Sequence, residues 1–219
     1  MRRALLVAER ELRAERAQPD GLFAALGLTL VLVFLESLLF GPSVAREPAV
    51  AAGLTWIALA FAAMLATTRS FDRELEDDAI DAILALPGGR DALYAGKVLA
   101  LTGLLGIVAF AGVLLTVVLL DLDVTLPLHL ALVTALGTVA VPPLVTLYVA
   151  LSLRLRARAL VVPVLVLPVL LPQLAAATAG TAAAISGDAT GALGWSGLLV
   201  ATALVSGVTG LTIGPVAIE

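Results

Sequence analysis

The sequence predicts an all-α, polytopic integral membrane protein with six membrane-crossing helices. Composition is the first sign. Of the 219 residues, 61% are hydrophobic and 14% charged, and mean hydropathy is +1.09, whereas soluble domains carry about 25% charged residues. The spacing of apolar runs is the second. A bilayer core about 30 Å thick needs about 20 apolar residues in helix. Six stretches reach that length: 21–40, 49–68, 98–120, 128–153, 159–181 and 192–216. The third is where the basic residues fall. With the N-terminus inside, twelve of the 13 lie on one side of such a bundle, Arg46 being the exception. Lysine and arginine stay cytoplasmic because moving them across during insertion is disfavoured. Both termini are therefore expected in the cytoplasm.

Residues 1–20 form the first unit, expected as a helix on the cytoplasmic membrane surface. Two arginines and ALLVA open the chain like a signal peptide, but charge interrupts the apolar run at once, so the segment reads as mature sequence. Leu5, Ala8 and Leu12 share a face, while Arg10, Arg13 and Arg16 can reach anionic headgroups. A solvated helix without lipid contact is the plainer alternative. A turn at Gln18-Pro19-Asp20-Gly21 leads into the second unit, the six-span domain of residues 21–219. GPS at 41–43 and DLDVTLP at 121–127 supply the turn chemistry between outer span ends.

Between spans two and three lies FDRELEDDAIDAILALP, residues 71–87, in which seven of the first eleven residues are charged. Ser70 or Asp72 is expected to cap a new helix, with Glu74 and Glu76 at its positive end, and Pro87-Gly88-Gly89 to stop it. Leu75, Ala79, Ala82, Ile83 and Leu86 recur at the helical period, opposite Asp77, Asp78 and Asp81. The result is a short amphipathic cytoplasmic helix whose carboxylates turn away from anionic lipid. It is either a solvated connector or a dock for a cytosolic partner.

The catalytic inventory favours the dock. The chain has no cysteine, which excludes disulfides, thiolate metal sites and thiol catalysis, and no GxxxxGK[ST] phosphate loop. The spans contribute one carboxylate, Glu36, and no Asp, His or Lys relay of the kind that ion-coupled transporters keep near the midplane. A transport subunit with neither device needs an external ATPase, and the acidic helix is the natural lever for it to grip.

The order of basic N-terminal helix, six spans and acidic helix resembles the CcmB family, the haem exporter B permeases of the cytochrome c maturation ABC transporter. The resemblance is most specific in RSFDRELEDDAIDAILALPGGRDALYAGKVLA, residues 69–100, through Phe71, Glu74, Asp77, Leu86, Pro87 and the lone lysine, Lys97. VVPVLVLPVLLPQLAAATA at 161–179 is similar to the family's fifth span. Asp78 departs from the pattern, relatives commonly having glycine there. The resemblance implies a type-2 ABC exporter fold with the acidic helix as coupling helix. Phe71, Arg73, Glu74, Asp77, Asp78, Asp81, Leu86 and Pro87 would then be the ATPase-coupling residues. It further implies a homodimer in the cytoplasmic (inner) membrane of a prokaryote, joined to a CcmA-like ATPase that binds ATP and to CcmC-like and CcmD-like haem-handling partners. Haem is the implied cargo, and no enzyme activity or nucleic-acid binding belongs to this subunit. A permease for a drug, lipid or polysaccharide, and a motor-independent assembly scaffold, are the alternatives.

Four further features stand out. His129, the single histidine, stands at the outer mouth of span four as a weak candidate haem ligand, against the commoner role of a boundary residue. Gly194-Trp195-Ser196-Gly197 has the GxSG form of an intramembrane serine protease, but a nucleophilic serine needs a base within reach. Pro142, Pro143, Pro163, Pro168 and Pro172 either line a path or fix kinks. Gly210 and Gly214 form a GxxxG for close packing, within the subunit or at a dimer contact.

Overall fold

A computed structural model describes residues 2–76, 88–153, 155 and 158–218. Its elements are α1 (Arg2–Ala17), α2 (Asp20–Ala45), α3 (Pro48–Glu76), α4 (Gly89–Leu119), α5 (Pro127–Ser152), α6 (Arg158–Ser186) and α7 (Ala189–Ala217). Six helices, α2 to α7, are long and apolar enough to cross a membrane. The polytopic all-α fold read from the sequence is the fold observed.

Burial decides which spans are central. Across the most apolar part of each span, 61% of residues are buried in α3 and 67% in α5, against 18% in α2 and 22% in α7. The core is accordingly built from Trp56, Leu59 and Ala63 on α3, Val133, Val141 and Val145 on α5, and Val166 and Leu170 on α6. Small residues let the helices close. Gly210 and Gly214 lie against the Tyr94 ring of α4, where an added Cβ would overlap it. The GxxxG motif therefore serves packing inside the subunit. The Tyr94 hydroxyl donates to the Pro143 carbonyl at 2.6 Å, tying α4 to α5. Hydroxyls and the indole stitch other spans together: Thr55 bonds Thr116 at 2.8 Å, and Trp56 Nε1 donates to Thr181 at 2.9 Å. In lipid such bonds replace the hydrophobic drive that water would supply.

Three connections gather at the end of the bundle far from α1. Gly41, with φ 72°, breaks α2 at the expected GPS turn. Arg46 approaches Asp121 at 3.6 Å, so the one basic residue on that side has an acidic neighbour. Leu126 N donates to the Ala184 carbonyl at 3.0 Å, and Asp188 caps α7 by accepting from Gly191 N at 2.9 Å. Pro142 and Pro143 are buried, but Pro168 and Pro172 face outward from α6 and line no internal path.

Two sequence boundaries are corrected. The third span begins at Gly89, not at 98, because helix continues through Arg90, Asp91 and Lys97; a hydropathy minimum marks charge, not the loss of backbone hydrogen bonds. Likewise α3 runs unbroken to Glu76. Ser70, Asp72 and Glu74 therefore lie within α3 and not at the start of a new helix; residues 77–87 of the expected helix lie outside the described residues.

Candidate functional site at the N-terminal end of the bundle

Helix α1 carries Ala4, Ala8, Glu11 and Glu15 at 4-3-4 spacing, which places them on one face. Ala4, Ala8 and Glu15 are buried, and the Glu11 side chain is 11% exposed. Close approach of α1 to α4 depends on Gly96, where an added Cβ would come within 2.5 Å of Val7 Cβ and 2.9 Å of the Ala4 carbonyl oxygen. Of the residues expected to face the membrane, Leu5 and Leu12 stay clear of the bundle at 60% and 37% exposed, while Ala8 packs inward. The inward face is small and acidic because basic groups await it.

Chief among these is Lys97, whose side chain is fully buried. Its Nζ donates to Ser70 Oγ at 2.8 Å, to the Ser70 carbonyl at 3.1 Å and to Glu11 Oε1 at 3.1 Å. Glu74 Oε2 lies 3.3 Å away as an ion pair, and the Phe71 ring centroid stands 4.5 Å from the ammonium, a cation–π contact. Ser70, Phe71 and Glu74 meet one point because residues four apart on a helix share a face. One ammonium thus joins α1, α3 and α4. Ser70 also donates to Glu11 Oε2 at 3.0 Å.

A second contact lies one turn along α1. Glu15 accepts from Arg73 at 2.9 Å and from the backbone N–H of Leu22 at 2.5 Å. That N–H is one of the unpaired donors of the first turn of α2, where a carboxylate also suits the helix dipole. Gly21 leaves the space, since an added Cβ would press on the Glu15 carboxylate. Burial by itself would raise the Glu11 pKa, but the Lys97 ammonium, helped by hydrogen bonds, prevails and holds it below the ordinary 4.5.

Of the sequence-predicted coupling residues, Phe71, Arg73 and Glu74 come together here as interior contacts with Lys97 and Glu15. Asp77, Asp78, Asp81, Leu86 and Pro87 lie outside the described residues. Lys97 and Glu74 are both buried within helices, a pairing that sequence reasoning did not anticipate. Glu11, Glu15 and Ser70 escaped sequence reasoning. The signal was there in the single lysine of an arginine-rich chain, opposite two glutamates one turn apart.

Elsewhere the chemistry is sparse. His129 is half-buried in the first turn of α5, and among the described residues no three His, Cys, Asp or Glu gather as a metal site. Ser196 is buried and donates to the Ala192 carbonyl of its own helix at 2.7 Å. The apolar cavity beside Trp56, Gly137 and Leu174 measures about 20 Å³, room for a water molecule.

The CcmB protein family matches residues 2–219. Heme exporter protein B of Rhodobacter capsulatus is 31% identical over 172 residues, covering 78% of this chain and 78% of that protein.

Proposed function

Because this chain belongs to the CcmB family, we propose that it is the permease subunit of an ABC transporter that delivers or releases haem for cytochrome c maturation. The observation that carries the reading is the family match over nearly the whole chain, together with six helices able to span a membrane. The permease pairs with itself and with a separate ATPase, in the cytoplasmic membrane of a prokaryote, with α1 and both termini inside. ATP is bound and hydrolysed by the partner. Asp77, Asp78, Asp81, Leu86 and Pro87 of the acidic segment dock that partner, and α3 and α4, on either side of them in the chain, carry the resulting motion into the bundle.

The cavity beside Trp56 is far below the 300 Å³ or so of a typical small-molecule site. A haem handled by this subunit does not fit that cavity. Co-purification with an ATP-binding subunit and loss of c-type cytochromes on deletion test the reading. Normal c-type cytochromes in the deletion strain would contradict the haem assignment while leaving ATP-driven transport of another cargo. Recruitment of no ATPase would contradict the coupling itself.

A further inference from the structure

In the chain, Asp77, Asp78 and Asp81 follow directly on the turn of α3 that Lys97 holds. That turn is fixed from two sides. Within the bundle, Lys97 grips Ser70 and Glu74; across to α1, the same ammonium grips Glu11, and Arg73 grips Glu15. An unpaired charge at this depth would be costly. Glu15 continues the chain of contacts into the first turn of α2.

We propose that Lys97 is a positioning residue of the transport cycle, tying α1 to the last two turns of α3 so that both move as one body when the ATPase acts. The proposal rests on the functional reading above. In it α1 is a strut as much as a membrane anchor: a push on the end of α3 reaches α2 and α4 through charge contacts, without relying on packing alone. Glu15 and Arg73 share this load, and Glu11, which accepts from both Ser70 and Lys97, joins the same three helices from the α1 side.

The test uses the full chain in lipid with its ATPase. Lys97→Met alone leaves two buried carboxylates unpaired and can prevent folding, so the informative variant is K97M/E11Q/E74Q, which removes the charges together and keeps the volumes close. The chain has no cysteine, so spin labels at Arg13→Cys on α1 and Asp91→Cys on α4, both exposed positions, report the distance between the helices. The expected result is a narrow distance distribution in the otherwise wild-type chain and a broad one in the triple variant. ATPase binding should change by less than about threefold while c-type cytochrome yield falls by about tenfold, within the range of ordinary coupling energies. An unchanged distance distribution would overturn the proposal, as would a broadened one with full cytochrome yield. Loss of ATPase binding in step with yield would overturn it too, because Lys97 would then belong to the dock or to folding. Failure of the wild-type chain to recruit an ATPase would remove the functional reading and the coupling role with it, and is recognised before any variant is made.

Discussion

Lys97 faces two carboxylates, a hydroxyl, a carbonyl and an aromatic ring, so its removal differs from that of a surface lysine. Lys97→Met is expected to cost about 3–5 kcal/mol, the usual penalty for orphaning a buried charge. Thermal unfolding in detergent or nanodiscs would read it. Glu11 supplies a pH signature. Its folded pKa is depressed below 4.5, so its stabilising contribution is full above that value and is lost as pH falls through the lower, folded one. Glu11→Gln should therefore be less stable than wild type at pH 7, and the gap should shrink as pH drops below 4.5. A gap constant with pH would assign Glu11 a packing role only. By contrast Arg46–Asp121, exposed on both sides, should contribute no more than about 1 kcal/mol.

At the level of helices, two glycines of α7 make opposite predictions. Gly214→Ala drives a methyl group into the Tyr94 ring and should destabilise by about 1–3 kcal/mol, as overpacking does. Gly207→Ala meets nothing within 4 Å and should stabilise by about 0.5–1 kcal/mol, since alanine loses less entropy in a helix. Equal effects in thermal melts would contradict the packing of α7 on Tyr94. Gly96→Val should lift α1 from α4 and expose Arg10 and Arg13 to limited trypsin digestion sooner than in wild type. The sequence made the spans legible because lipid requires long apolar runs whatever the packing. It did not reveal the face of α1 that packs on the bundle, because Lys97 and Arg73, distant in the chain, draw in Glu11 and Glu15. The helix start expected at Ser70 or Asp72 was misjudged for a related reason: both have cap chemistry, but Ser70 is occupied with Glu11 and Lys97 inside a continuing helix.

For the molecule as a whole, six spans and family membership were within reach of the residues, whereas the clamp that joins α1, α3 and α4 was not. It depends on which long-range neighbours meet: Lys97 and Glu11 lie 86 residues apart, and no local pattern encodes that distance. The proposed coupling passes from an ATPase through the acidic segment into the bundle. Affinity purification from membranes of Asp77→Lys/Asp78→Lys beside wild type, scored for the bound ATP-binding subunit, tests it most directly. The wild-type chain should retain that subunit, and the charge-reversed chain, inserted and thermally stable, should lose most of it. Equal retention by both would contradict the claim.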